Sequence, residues 1–436
     1  MKKKISEKTI RGLVLTLKPN NAQKLLLDKH LNDTRFIYNQ YVEEYLKAIK
    51  ENRLPNYKSY TDLRAEHEFL KGSCAQALGK VLYRFKQTNK INRTKRLKGQ
   101  KVGLVHFKSK KSHSDYFYTR ILKFSYNSDC KSESYVKIEK IGLVNFKCKN
   151  IKSEFLNGKI KFGIVKRTKT GEYKISLCIE VNKVYEERKE NNHIGLDFSL
   201  RDFFVDSFGA KAPEFSTKRS KMELLQEKID SLNTSISEMR NKSKKKRKTS
   251  VKMYRLAMKR NKLYEKVHNI QVDYINKLSR DLCKHNELIV LENLNLHEMS
   301  EHTSYKDSKT SSKGGNHGKS VSLLQWSYFL KKLEENAEKF GNSIVYVDKY
   351  FPSSQICSKC GEIHSEMKDV TKRTLECKCG NIIDRDYNSA LNLLKFGETV
   401  VYNKSYQTLG KGLSEYKAFK CLDFSRSKAL KLELSI

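Results

Sequence analysis

Cys357, Cys360, Cys377 and Cys379 form two close pairs, and Asp384-Arg385-Asp386-Tyr387-Asn388 follows almost at once. Thiolates suit zinc, and carboxylates suit magnesium. Two cysteine pairs around one ion impose a compact ribbon of turns and short strands, and they fix where the next helix begins. The first pair is Cys-x-x-Cys, and the separation of Cys360 from Cys377 fits a zinc ribbon. The second pair has only Lys378 between its sulfurs. A two-residue knuckle lets backbone N–H groups support the thiolates, so the shorter version is expected to be strained or differently folded. His364 lies inside the ribbon and could replace one thiolate. No thioredoxin-like βαβ pattern surrounds the cluster, which argues against a redox dithiol.

The acids around this ribbon have counterparts upstream. Ile194-Gly195-Leu196-Asp197-Phe198 reads as a strand ending in an acid, followed by a second strand over 202–207. Leu288-Ile289-Val290-Leu291-Glu292 has the continuous apolar run of a buried central strand and again closes on an acid. A carboxylate at the end of an apolar strand is costly unless a cation or a proton compensates it. One such acid could be an ion-pair partner. Asp197, Glu292 and Asp386, in the order strand, strand, helix start, fit one metal cluster. Such acids can hold two Mg²⁺ ions roughly 3.5–4 Å apart, for hydrolysis of a phosphodiester. Sites in open α/β sheets gather at strand carboxyl ends, which supports the same geometry.

Before Asp197 the chain reads as a β module with a helical insertion. A strand is predicted over 10–17, and Asn20 or Asn21 can cap a helix running past Leu31 toward Val42. Helical patterns continue to about residue 90, and short strands fill about 100–182, with a hairpin around Lys169-Thr170-Gly171. After Asp197, Leu225, Ile229, Leu232, Ile236 and Met239 mark one long helix, and Leu256 through Leu278 mark a second. Lys244, Lys245, Lys246, Arg247 and Lys248 lie between them and read as a phosphate contact, with a solvated turn or a nuclear-type signal as the alternative. Residues 300–320 read as a loop, 323–340 as a helix with the only tryptophan, 344–347 as a strand and 389–396 as a final helix. The aromatics Phe36, Tyr38, Tyr116, Phe117 and Tyr118 read as core, with base stacking as the alternative.

Charge names the partner class. Lys and Arg number 88 against 49 Asp and Glu, a net charge of +39 spread along the chain. Solubility alone needs far less; a polyphosphate partner does require it, since each neutralised phosphate releases counterions. No apolar run reaches the roughly 18 residues of a membrane span. Residues 1–15 lack an apolar core and a small-residue cleavage site, so no signal peptide is expected. The cysteines are therefore expected to be reduced and the chain cytoplasmic. Cys74, Cys130, Cys148, Cys178, Cys283 and Cys421 read as ordinary small apolar residues.

Taken together, Ile194-Gly195-Leu196-Asp197, Leu291-Glu292-Asn293-Leu294 and Asp384-Arg385-Asp386-Tyr387-Asn388-Ser389-Ala390 resemble the three catalytic motifs of RuvC-type nucleases. More specifically, the chain resembles the TnpB family, RNA-guided nucleases of bacterial insertion sequences related to compact type V CRISPR effectors. Tyr350-Phe351-Pro352-Ser353-Ser354-Gln355-Ile356-Cys357 resembles that family's entry to its ribbon, and Leu17-Lys18-Pro19-Asn20 with Arg35-Phe36-Ile37-Tyr38-Asn39 resembles its opening module.

The resemblance implies a multidomain α/β and β protein: an RNase H-like RuvC domain interrupted by a zinc ribbon, and an N-terminal wedge β-barrel carrying a helical recognition lobe. The implied boundaries are 1–186 for the wedge with its lobe at about 20–100, 187–355 and 384–398 for the two RuvC parts, 356–383 for the ribbon and 399–436 for a basic tail. It implies Asp197, Glu292 and Asp386 as catalytic magnesium ligands, with Asp386 chosen over Asp384 because it stands two residues before Asn388. It implies a structural zinc on the four ribbon cysteines. The implied partners are a guide RNA and double-stranded target DNA, bound by a monomer with one RNA in a bacterial or phage setting near the nucleoid. A compact CRISPR effector is the variant within this class. A nuclease-dead RNA-guided repressor is the rival outside it, and it would be expected to lose acids that are all present here. A recombinase with an RNase H-like core would not need a ribbon at this place.

Overall fold

The computed structural model describes residues 8–110, 115–128, 133–148, 150–242, 250–294, 323–402 and 418–424. It is a multidomain α/β protein whose two compact units are Met1–Lys183 and Val184–Ile436. No described helix is long and apolar enough to cross a membrane.

The first unit opens with β1 (Lys8–Lys18) and α1 (Asn21–Lys50). Asn20 caps α1 through a capping box, its side chain accepting from Gln23 N while Gln23 Oε1 accepts from Asn20 N. The helical insertion continues with α2 (Tyr60–Glu66) and α3 (Ala75–Leu97), seven residues beyond the expected end. These helices close over Ile37, Tyr41, Leu63, Leu78 and Phe85. Then come β2 (Tyr116–Thr119), β3 (Ile121–Ser125), β4 (Tyr135–Ile138), β5 (Gly142–Lys147), the single turn α4 (Ser153–Leu156), β6 (Lys159–Arg167) and β7 (Tyr173–Asn182). The sheet order is β2-β6-β7-β1-β5-β4-β3, with every pairing antiparallel. Although β3 is an edge strand, its Ile121 packs within 2.9 Å of where a Cβ on Gly163 of β6 would stand. The sheet therefore curls until one edge meets the far side, and a glycine at the contact makes room.

The second unit begins with β8 (Asn192–Ser199), β9 (Phe203–Asp206), α5 (Phe215–Lys242) and α6 (Val251–His285). It continues with β10 (Asn286–Glu292), α7 (Trp326–Phe340) and β11 (Ser343–Val347). The helix expected from 323 is interrupted at Gln325, whose φ of +47° leaves the right-handed helical region, and it resumes at Trp326. The ribbon hairpin β12 (Thr374–Glu376) and β13 (Ile382–Asp384) leads into α8 (Arg385–Tyr402), and β14 (Ala418–Asp423) follows. The main sheet has order β14-β11-β10-β8-β9, with β8, β10 and β11 parallel.

Burial on both faces explains the apolar run in β10. Ile289 and Leu291 join the core under α5, α6 and α7, while Leu288 and Val290 join the core under α8. All four are fully buried, each contributing about 1.5–3 kcal/mol. Of the aromatics read as core, Phe117 and Tyr118 are buried. Tyr38 and Tyr116 line a cavity of about 230 Å³ with Lys80, Arg84 and Lys108, and the Lys108 ammonium sits 4.3 Å from the Tyr38 ring centre. The cationic run Lys244–Lys248 and the 300–320 loop lie outside the described residues.

Candidate active site and metal centre

Strand register brings two of the expected acids together. Leu291 of β10 pairs with Leu196 of β8 in parallel. The next residues on the two strands are Glu292 and Asp197, so both acids stand at the same carboxyl edge. The third acid comes from above. Asp386 lies in the first turn of α8, which crosses β8 at Gly195. A Cβ on Gly195 would stand 2.2 Å from Ala390 O, so only glycine permits this approach. Gly397 plays the same part against Val290 of β10.

All three acids line one cleft of about 960 Å³, whose walls also carry Arg201, Lys211, Lys349, Arg373 and Arg385. Burial and neighbouring acids disfavour the charged form of each. Burial raises Asp197 well above the ordinary range, and the neighbouring Asp386 and Glu292 charges add to this. Burial, with Asp348 nearby, pushes Glu292 up to about 7. Burial and the Asp384 charge raise Asp386, opposed by Arg373 and Arg385; Arg373 Nη1 is 3.8 Å from Asp386 Oδ1. An oxygen-only donor set that is destabilised in its charged form fits a hard divalent cation, which would reverse each shift.

Two residues that the sequence reading left aside complete the site. Ser389 Oγ donates to Asp197 Oδ1 at 2.6 Å, and Ser353 Oγ lies 2.8 Å from the same hydroxyl. Ser389 stands three residues after Asp386 on α8, so the i, i+3 spacing carried the signal. Asp384 has a separate duty. Its Oδ1 accepts from the N–H groups of Asp386 and Tyr387 at 2.9 and 3.0 Å, which makes it the N-cap of α8.

The ribbon holds the base of that helix. Arg385 N donates to Arg373 O at 2.8 Å, continuing the β12–β13 ladder into α8. Buried Asn388 and Asn392 both donate to Ile356 O, and Asn388 Oδ1 accepts from Ser358 N. Within the ribbon the four cysteine sulfurs lie within 4.8 Å of one another. Cys357 Sγ is 3.7 Å from Cys379 Sγ, and Cys360 Sγ is 3.4 Å from Cys377 Sγ. A tetrahedral zinc with Zn–S of about 2.3 Å sets S···S edges near 3.8 Å, so the quartet fits that ion.

The short second knuckle is accommodated by closing one residue earlier. In the first turn Gly361 N donates to Cys357 O, and Cys357 N donates to Glu362 O. In the second, Gly380 N donates to Cys377 O, and Cys377 N donates to Asn381 O. Both glycines adopt matching left-handed φ values, 81° and 80°. Burial pushes the Cys357 thiol up, but N–H donors from Cys360, Asn381 and Lys359 outweigh it and bring it down to about 6. His364 is not needed to complete the quartet.

Comparison with known proteins finds matches to three stretches of the chain. Family profiles match at three places: "Helix-turn-helix domain" over 9–53, "Probable transposase" (OrfB_IS605) over 176–303 and "Cas12f1-like, TNB domain" over 326–393. Residues 9–53 here form β1 and one continuous helix α1. A "Putative RNA-guided DNA endonuclease" of Streptomyces pristinaespiralis is 27% identical over 136 residues, 31% of each chain. The "TnpB-like protein L79" of Acanthamoeba polyphaga mimivirus is 30% identical over 139 residues, 31% of this chain and 24% of that protein. "Putative transposase R186" of the same virus is 34% identical over 77 residues, 18% of this chain and 15% of that protein. The matched region thus spans less than a third of each of these relatives. Among solved structures, a "Cas12f1-sgRNA-target DNA complex" aligns with a TM-score of 0.48 at 15% identity, covering 89% of this chain and 99% of that one.

Proposed function

The chain belongs to the TnpB family, and on that premise we propose that it is an RNA-guided DNA endonuclease cutting by divalent-metal hydrolysis. The observation that carries the reading is the convergence of Asp197, Glu292 and Asp386, from two strand ends and a helix start, in one cleft rimmed by cations. In this reading the second unit is an RNase H-like RuvC nuclease interrupted by the ribbon, and the first is a wedge barrel with its recognition lobe. The protein acts as a monomer with one guide RNA, in the cytoplasm at the nucleoid.

Asp197, Glu292 and Asp386 would hold Mg²⁺. The metal supplies an activated water and a counter-charge for the leaving oxygen of the phosphodiester. Asp197 is the fixed acid, since the Ser389 hydroxyl orients one of its oxygens from the helix that carries Asp386. Arg201, Lys211, Lys349 and Arg373 offset the charge of a strand lying in the cleft. The first unit's basic and aromatic cavity, with Lys80, Arg84, Lys108 and Tyr38, suits backbone and base contacts. Guide pairing reads the target, and the protein reads a short flanking DNA motif. The ribbon does no chemistry; its zinc keeps Asp384 and Asp386 at the base of α8.

Purification under reducing conditions, followed by sequencing of any bound nucleic acid, tests the guided reading. One discrete, structured RNA species is expected. Tight, sequence-specific DNA binding by RNA-free protein would sink it.

A further inference from the structure

Beside the cysteine quartet the ribbon holds a second set of donors that shares only Cys377 with it. Glu362, His364 and Cys377 each present one donor atom, and these atoms all lie within 4.8 Å of one another. His364 is 8% exposed. Its Nδ1 is 3.0 Å from Glu366 Oε1, while its Nε2 is buried with no hydrogen-bond partner. A proton on Nδ1 donated to Glu366 leaves the lone pair on Nε2. A carboxylate behind the imidazole is the arrangement that fixes the tautomer of metal-ligating histidines and raises their basicity. Cys377 Sγ lies 3.4 Å from Glu362 Oε2 and 3.4 Å from Cys360 Sγ, so one sulfur faces both donor sets. As a thiolate, that sulfur would repel the Glu362 carboxylate unless a cation stood between them.

We propose that Glu362, His364 and Cys377 form a second divalent-metal site in the ribbon, with the Cys377 thiolate bridging it to the zinc of the cysteine quartet. One oxygen, one nitrogen and one sulfur select Zn²⁺, Co²⁺ or Ni²⁺ over Mg²⁺ and Ca²⁺. Three protein ligands leave a position for water. Glu362 is exposed, so this ion binds more weakly than the tetrathiolate one and exchanges with solvent. When bound, it ties the segment after the first knuckle to Cys377, the residue that follows β12, so ribbon rigidity follows the free level of a borderline metal. The proposal stands apart from the nuclease reading, since it concerns only the ribbon.

The test is a Co²⁺ titration of the full chain, stripped of metal and kept reduced. Thiolate-to-cobalt charge-transfer absorption is read at each addition, and the carboxylate cleft contributes none of it. The wild type is expected to show two steps, the second weaker. His364→Ala and Glu362→Gln should each lose the second step and keep the first, which reports that the quartet still folds. A single step in the wild type would overturn the proposal, as would a second step that survives in both variants. Loss of the first step in Glu362→Gln, an exposed and conservative change, would place these residues in the primary site and overturn it equally.

Discussion

Gly195→Ala tests how the site is assembled without touching an acid. The added Cβ would stand 2.2 Å from Ala390 O and 2.8 Å from Leu394 N, both backbone atoms of α8. No rotamer change relieves a backbone clash. Bringing the shorter contact to the 3.0 Å floor of real Cβ contacts requires 3.0 − 2.2, or 0.8 Å, of movement between β8 and α8. Overpacking of this kind costs about 1–3 kcal/mol. The functional effect is larger, because α8 carries Asp386 and Ser389 while β8 carries Asp197. A misplacement of about 1 Å lowers rate by about 10²-fold. The assay is single-turnover cleavage of a guide-matched plasmid at saturating Mg²⁺, well below the variant's melting temperature, with guide RNA binding measured in parallel. A drop of about 10²-fold with RNA affinity retained is the expected result. Wild-type cleavage by a folded Gly195→Ala protein would refute the claim that α8 contact with β8 positions the acids.

Three further outcomes follow from the same geometry. Glu292 ionises near 7 in the fold against about 4.3 unfolded, so its contribution to stability is full below the lower value and declines as pH rises through the higher. Metal-free protein should therefore lose roughly 3 kcal/mol from this group between pH 4 and 8; Glu292→Gln should flatten that slope and abolish cutting, and an unchanged slope would count against the burial argument. Asp384→Asn keeps the helix cap and should keep cleavage, whereas Asp384→Ala costs about 0.5–2 kcal/mol and Asp386→Asn abolishes cutting; inactivity of a folded Asp384→Asn protein would exchange the two roles. Metal analysis of dialysed protein should find a tightly held zinc that Cys357→Ser loses, and a folded ribbon without zinc would remove the structural-metal claim.

The acids were legible because each closes an apolar strand or opens a helix, where an uncompensated carboxylate is expensive. Their convergence was not, because it depends on the parallel register of Leu196 with Leu291 and on the α8 crossing at Gly195, neither of which a local pattern encodes. The final helix is longer than its apolar stretch 389–396 suggested. It starts at Arg385 because Asp384 caps it, and it runs to Tyr402. In sequence only the spacing to Asn388, read through the family resemblance, separates Asp384 from Asp386; in the fold, backbone N–H groups pointing at Asp384 Oδ1 mark it as the helix cap. The short second knuckle looked strained because cysteine spacing was weighed without the glycine after each pair. Gly361 and Gly380 give both turns the same left-handed exit, and the missing residue is absorbed by an earlier closure. The Lys244–Lys248 run was read from charge alone and lies outside the described residues.

The most direct measurement is cleavage of a guide-matched plasmid by protein purified with its RNA, with and without Mg²⁺, for the wild type and Asp197→Ala. The account predicts cutting only by the wild type, only with metal and only of the matched target, with RNA still bound to the variant. Metal-independent cutting, or cutting by Asp197→Ala at the wild-type rate, would contradict it.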